Sequence, residues 1–550
     1  MTSATSDIRG AALDAAPVGD IRGALGTIAV DDVAARSTTS AKLKTLLAIV
    51  GPGLIVMVGD NDAGAFSTYG QAGQDYGTHL LWTFLLLIPI LYVNQEMVLR
   101  LGAVTGVGYA RLILERFGRF WGAFSVIDLF LLNALTLITE FIGITLAAGY
   151  LGVPKIVAVL LAAAVIIASA MTGSLRRFER IAMIFCAGSL LLIPLYFLSH
   201  PAVGQMASGF ALPSVPGAGS QLGPVMLLII GIVGTTVAPW QLFFQQSYVI
   251  DKRITPRFMR YEKVDLVIGI AVVIVGGAAI MGATTAAFAG TAAAGHFTDA
   301  GGLAAGIAAS AGKVAGVLFA VALLDAAMIG AFAVSLSTAY ALGDVLGLKH
   351  SLHRGIKQAK GFYVMYAALI AGAATIVLIP GSPLGLFTEG VQVLAGVLLP
   401  SATVFLLMLC NDKAVLGPWV NSRVTNAFSG AVIALLIALS LILVASVVFP
   451  HITAGQIIMI MAVCAGAAAV TGAALLGRKH AAGSVAAGET ASDVAAARAN
   501  KESWRMPRLA MLAPAPMSTA RRVGMTGMWV YIAIAMGAVV FRIALLATGH

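Results

Sequence analysis

The chain has 550 residues, of which 59% are hydrophobic and 11% charged, against about 25% charge in an average soluble domain, and its mean hydropathy is +0.95. Lipid is therefore the expected solvent for most of it, and a soluble globular fold is excluded. The formal charge of +10 raises the question of nucleic acid, but the basic residues fall in alternate loops and are accounted for by membrane topology.

In chain order, residues 1–44 are polar, rich in Ala, Ser, Thr and Asp, and lack an apolar stretch of signal-peptide type; a disordered cytoplasmic tail is expected. From Leu47 onward, apolar stretches long enough to cross about 30 Å of hydrocarbon recur, about twelve up to Leu476. Clear cases are Leu80 to Leu101, Phe124 to Ala148, Ile181 to Leu198, Val264 to Phe288 and Ala427 to Val448. Arg111, Arg116 and Arg119 occupy one loop, Arg176, Arg177 and Arg180 the next but one, then Lys252, Arg253, Arg257 and Arg260, then Lys349, Arg354 and Lys357. The intervening loops carry almost no Lys or Arg, which places the N-terminus in the cytoplasm. A transport domain of residues 45–477 is followed by an expected cytoplasmic linker, 478–524, and a detached helix, 525–550, whose Arg542 reads as a snorkelling anchor. Cys186, Cys410 and Cys464 lie in apolar spans without metal-ligand spacing and read as packing residues.

Two spans contain residues that a helix in lipid avoids. The first runs Gly51-Pro52-Gly53, then Leu54 to Gly59, then Asp60-Asn61-Asp62-Ala63-Gly64-Ala65; the other runs from Leu222 through Gly234-Thr235-Thr236-Val237-Ala238-Pro239-Trp240-Gln241 to Tyr248. Irregular backbone at membrane depth survives only where protein or water satisfies it, so each break implies a polar cavity. The breaks fall in the first and sixth spans, and each opens a block of five. That odd number gives the blocks opposite orientation: an inverted repeat with a cation site at the midplane.

A carboxylate at that depth costs at least about 2.5–3.5 kcal/mol and must face protein or water. Asp62, at the first break, reads as an ion ligand or a helix cap. Asp60 lies beside it, and Glu96 reads as the partner of Arg100 at i, i+4. Asp128 and Asp265 lie near span ends, where solvent reaches them; Glu140 and Asp325 lie deeper, the latter with no sequence-local partner. All eight histidines, His79, His200, His296, His350, His353, His451, His480 and His550, fall in loops, tails or near span ends. An ion at the midplane is thus expected to be bound by oxygen.

These residues resemble the Nramp family of divalent-metal transporters. Gly51-Pro52-Gly53 followed by Asp62-Ala63-Gly64-Ala65 stands where the family has Gly-Pro-Gly and Asp-Pro-Gly-Asn, and Gly234 to Trp240 where it has Gly-Ala-Thr-Val-Met-Pro-His. Glu140-Phe141-Ile142-Gly143, Arg177-Phe178-Glu179, Gln392-Val393-Leu394, Leu399-Pro400 and Asn411-Asp412-Lys413 match further segments, over about Leu47 to Leu476. The resemblance implies an all-α transmembrane bundle of the LeuT fold and a divalent cation as the transported substrate, with no cofactor, catalytic residue or obligatory protein partner.

The departures bear on the ion. The family's ligating Asn falls on Ala65 and its Met on Ala238, while the Asp is kept as Asp62 and the backbone carbonyl falls at Thr235. Losing the thioether removes a preference for soft metals, and two alanines leave room for the water shell that Mg2+ surrenders reluctantly. The expected metal site is Asp62, Ala65, Thr235, Thr236, Ala238 and Gln392, as in the Nramp-related magnesium branch, with Mn2+ tolerated. The family's proton-route histidines fall on Trp240 and Gln245 and its Asp on Leu137, so uptake without proton coupling is expected. At about 2.3 kcal/mol per charge per 100 mV, a divalent ion gains about 4.6 kcal/mol on entry. The alternatives are a proton-coupled Mn2+/Fe2+ symporter or a LeuT-fold carrier of a small organic solute. An enzyme is the different-class reading, but no nucleophile motif accompanies Asp60 and Asp62.

Overall fold

The computed structural model describes residues 19–216, 222–381, 384–448, 452–482, 501–502, 504–512 and 518–547. It is almost entirely helical, as expected. A small antiparallel hairpin, β1 (Ile21–Arg22) and β2 (Thr27–Ile28), pairs Ile21 with Ile28. It precedes α1 (Thr39–Ile49), α2 (Pro52–Val58), α3 (Ala63–Tyr76), α4 (Trp82–Thr105), α5 (Tyr109–Phe117), α6 (Arg119–Tyr150), α7 (Lys155–Ala170), α8 (Leu175–Gly188), α9 (Leu192–Ser199) and α10 (Val203–Ala211). Then follow α11 (Leu222–Thr236), α12 (Pro239–Asp251), α13 (Met259–Phe288), α14 (Ala300–Ala311), α15 (Lys313–Leu346), α16 (Lys360–Leu378), α17 (Leu384–Cys410), α18 (Lys413–Leu416), α19 (Arg423–Val448), α20 (Ala454–Ala482) and α21 (Thr519–Ala547). Among the described residues, eight helices are long and apolar enough to cross a membrane unaided.

The breaks fall where the sequence puts them. α2–α3 opens one block of five spans (with α4, α6, α7 and α8–α9), and α11–α12 opens the second (with α13, α15, α16 and α17). The first span is broken a second time, at Val50 and Gly51, where α1 and α2 meet at 53°. α15 lies along α6, and α13 runs beside α2 and α3, so the breaks sit inside a sleeve of continuous helices.

Three expectations are corrected. Residues 19–44 of the tail expected to be disordered are structured, with Ile21, Ala24 and Ile28 buried against the bundle; residues 1–18 lie outside the described residues. Part of the linker is docked: Trp419 Nε1 donates to the Lys501 carbonyl (2.8 Å), the Met506 amide to that of Val104 (3.4 Å), and Trp504 fills the space beside Gly417. Residues 483–500 of that linker, and the Arg542 side chain, lie outside the described part. Third, Asp265 is not wet but fully buried, accepting the amides of Gly51 (3.1 Å) and Gly53 (2.7 Å) through one oxygen.

Candidate metal site at the paired helix breaks

A helix that begins in mid-bundle exposes unpaired amides. Asp62 is the N-cap of α3, with extended backbone, and its Oδ1 accepts the Ala65 amide at 2.9 Å. Glu140 reaches across from α6, and its Oε2 accepts the Ala63 amide at 3.1 Å. Two carboxylates thus serve one helix start. α15 approaches them through Gly330, where a Cβ would lie 2.8 Å from Glu140 Cδ and 2.9 Å from Asp62 Cβ.

The sixth-span break lies opposite. α11 ends at Thr236, and α12 starts from Ala238, the N-cap, with Pro239 in its first turn. The Val233 carbonyl still receives the Val237 amide (3.0 Å), but Pro and the turn of the chain leave the next carbonyls, from Gly234 and Thr235, outside the helical ladder. A Cβ placed on Gly64 would lie 3.2 Å from Asp62 Oδ1 and 3.7 Å from Thr235 Oγ1, which brings those two side chains to one crevice. A Cβ on Gly234 would meet nothing within 4 Å. The space beside Thr235 is open.

The remaining expected site residues divide. Ala65 and Ala238 are buried at the starts of α3 and α12. Thr236 is buried too, but its hydroxyl is taken: it donates to the Ile232 carbonyl (2.6 Å) and lies 2.7 Å from Tyr69 Oη. Gln392 lies on α17, its side chain outside the described part. Exposure around the crevice is one-sided. Gly64, Ser67, Gly234 and Thr235 are partly exposed, whereas Ile55 to Val58 of α2 and Pro239 to Val249 of α12 are buried.

Four further polar contacts escape sequence reading, three of them because their partners are distant in the chain. Gln241 donates through Nε2 to Asp60 Oδ1 and to the Thr236 carbonyl (3.3 Å), and its Oε1 accepts Gln95 Nε2 at 2.8 Å. One amide side chain therefore ties both breaks to α4. Ser337 donates to the Trp240 carbonyl (2.9 Å), securing the first turn of α12. The only available signal was polarity itself: Gln95, Gln241 and Gln245 are fully buried glutamines in apolar spans.

The other carboxylates are accounted for outside the site or at its margin. Glu96 pairs with Arg100 (3.2 Å), as expected, and with Lys263 (2.8 Å). Asp128 lines a water-sized cavity of about 10 Å³ among α6, α12 and α17, with Ser125 and Ser401. Asp325 packs on Gly188 of α8. Among the described residues no ion pair involves Asp60, Asp62 or Glu140, and no three His, Cys, Asp or Glu converge in a metal-ligand cluster. The crevice offers a carboxylate, a hydroxyl and unpaired carbonyls, a donor set for a hard cation.

Comparison with known proteins gives the same picture. The family model described as "Natural resistance-associated macrophage protein-like" (Nramp) matches residues 53–446. A divalent metal cation transporter MntH from Ralstonia nicotianae is 30% identical over 422 residues, covering 73% of this chain and 91% of the relative. The MntH of Erwinia tasmaniensis is 27% identical over 421 residues, covering 72% and 94%. A crystal structure of a manganese transporter from Eremococcus coleocola superposes with TM-score 0.64 at 22% identity, over 80% of this chain and 95% of that one. At that identity the likeness speaks for the fold, which is the LeuT-type bundle with broken first and sixth helices. The chain belongs to the Nramp family.

Proposed function

We propose, taking that membership as premise, that this divalent metal cation transporter takes up largely hydrated Mg2+, with Mn2+ tolerated, by alternating access without proton coupling. The observation that carries the reading is Ala65 and Ala238 where the family has ligating side chains, together with open space beside Gly234. An octahedral ion with Mg–O distances of about 2.0–2.1 Å that keeps most of its waters needs such room. Asp62 supplies the negative charge, and the Thr235 hydroxyl and the bare carbonyls of α11 receive hydrogen bonds from the water shell; Gln392 is the further polar group that the sequence adds. Of the family's titratable proton-route positions, Trp240, Gln245 and Leu137 cannot carry a proton, and only Glu140 remains. The membrane potential is then the driving force.

Proton-coupled Mn2+ or Fe2+ symport has one observation in its favour, the contact of Glu140 with the first break beside Asp62. Proteoliposomes with external Mg2+ or Mn2+ and an internal pH dye separate the two. Mg2+ entry without acidification supports the proposal. Acidification stoichiometric with Mn2+ entry, and no Mg2+ flux, overturns it in favour of symport. Uptake of an organic solute with no metal flux overturns both.

A further inference from the structure

The β1–β2 hairpin is remote from the crevice, yet it is fastened to α1, to α8 and to the loop between α12 and α13. The Ala24 amide donates to Glu179 Oε2 of α8 at 2.5 Å, and Arg180 returns a bond to the Ala24 carbonyl at 3.1 Å. Arg176 donates to Thr27 Oγ1. From the loop between α12 and α13, Arg253 holds the Asp20 carbonyl (3.1 Å) and Arg257 the Ala34 carbonyl (2.9 Å). Against α1 the turn packs without clearance: a Cβ on Gly23 would fall 2.1 Å from the Ala48 carbonyl oxygen, and one on Gly26 would fall 2.9 Å from Ala48 Cβ.

Glu179 is the hub of this arrangement. The same buried carboxylate accepts Lys252 Nζ at 2.5 Å, and Lys252 also donates to the Val50 carbonyl (2.8 Å), at the joint where α1 bends into α2. One cluster therefore joins α8, the end of α12, the α1–α2 joint and the hairpin. An ion leaving the crevice toward the N-terminal side must pass between α2, α12 and their neighbours, which are now in buried contact. Opening that side means separating these helices, as alternating access about a fixed midplane site demands. The hairpin bridges α1, α8 and the loop after α12, so movement of α1–α2 away from the other two has to release it from at least one of them.

We propose that the N-terminal hairpin, Asp20 to Ala34, is a latch that holds the pathway closed on its own side, and that undocking of Ala24 from Glu179 limits the rate of opening. The inference rests on the transporter reading for its consequence, but not for its test. Ile55 reports opening directly. It precedes Gly59 by four residues and so shares its helical face; a Cβ on Gly59 would lie 3.4 Å from Ala333 and 3.5 Å from Trp240. Ile55 thus faces α15 and α12. In a chain whose three native cysteines are replaced by alanine, Ile55→Cys in nanodiscs is reacted with a membrane-impermeant maleimide. The hairpin is removed by deleting residues 2–34, or its key bond by Ala24→Pro, since proline has no amide hydrogen.

Labelling at least about tenfold faster in either monodisperse variant is expected, equivalent to about 1.4 kcal/mol, with a parallel rise in initial Mg2+ uptake. Unchanged labelling in Ala24→Pro overturns the latch, whether or not the deletion folds. If the parent chain carries no Mg2+ at all, the transport reading fails while the labelling ratio still decides the latch.

Discussion

Asp62 caps α3 in the structure and, on the proposal above, also holds the ion; Asp62→Asn separates the two roles. Its Oδ1 caps α3 through the Ala65 amide at 2.9 Å; losing an N-cap costs about 0.5–2 kcal/mol, and Asn caps as well as Asp. The charge is a different matter. A divalent ion held through one water layer at about 5 Å, with an effective dielectric of about 20, is attracted to a single carboxylate by about 7 kcal/mol before solvation losses. Removing one partner of a buried charge pair costs about 3–5 kcal/mol net, and because the crevice opens on one side the lower end applies. Asp62→Asn should therefore weaken Mg2+ binding by roughly 100-fold or more while leaving the melting temperature without Mg2+ near that of the parent. Asp62→Ala should lose both. The assays are isothermal titration and flux in proteoliposomes, alongside thermal unfolding in detergent. Normal Mg2+ transport by Asp62→Asn would reduce Asp62 to a cap and remove the site from this crevice.

Ala238→Met restores a thioether at the start of α12, and competition uptake should shift toward Cd2+ and Mn2+ over Mg2+; an unaltered order would place the ion elsewhere. Gly330→Ala drives a methyl to 2.8 Å from Glu140 Cδ and 2.9 Å from Asp62 Cβ, and overpacking of this kind costs about 1–3 kcal/mol. Transport should fall sharply with a melting temperature lowered by several degrees, and full activity would contradict the close approach of α15. In the loop after α15, burial works against a charge on His350. The Asp344 carboxylate 3.0 Å from Nε2 and the Leu348 carbonyl that accepts from Nδ1 outweigh it and hold its pKa above the ordinary value of 6.5. A raised folded-state pKa stabilises fully below about pH 6.5 and loses that contribution as pH rises through the raised value. The melting temperature should decline across that window, and His350→Gln should flatten the decline.

The bundle and its breaks were legible because lipid permits so few solutions. Apolar length sets the spans, and Gly51-Pro52-Gly53, Asp62 and Pro239 interrupt them where no helix would tolerate interruption without a polar surround. Long-range pairings were not legible. Asp265 read as wet because its partners, the amides of Gly51 and Gly53, lie over 200 residues away, and backbone donors leave no signature in side-chain identity. The hairpin was missed for the same reason: its hold on Glu179 is a main-chain amide, in a segment whose composition resembles a free tail. Gln241 was legible as a residue of the break but not as its tie, since Asp60 and Gln95 come from two other helices.

The broken helices also bear on the sign of an ion held between them. At the first break the amide end of α3, which alone would attract an anion, is covered by Asp62 and Glu140. The inner start of α2 is covered likewise by Asp265. At the sixth break the opposite pole faces the crevice: the carbonyl end of α11 carries no Lys or Arg, and one of its hydroxyls, that of Thr236, is turned back onto the helix. The amide start of α12 at the same break carries no side-chain cap, so a carbonyl end and an amide end lie side by side there, and it is the carboxylates at the first break that tip the field toward a cation. Selectivity then falls to space, and beside Gly234 an added Cβ would meet nothing within 4 Å. On the function proposed above, a cation that enters with its waters loses little solvation on the way in, the condition under which one carboxylate and a membrane potential would suffice to move Mg2+.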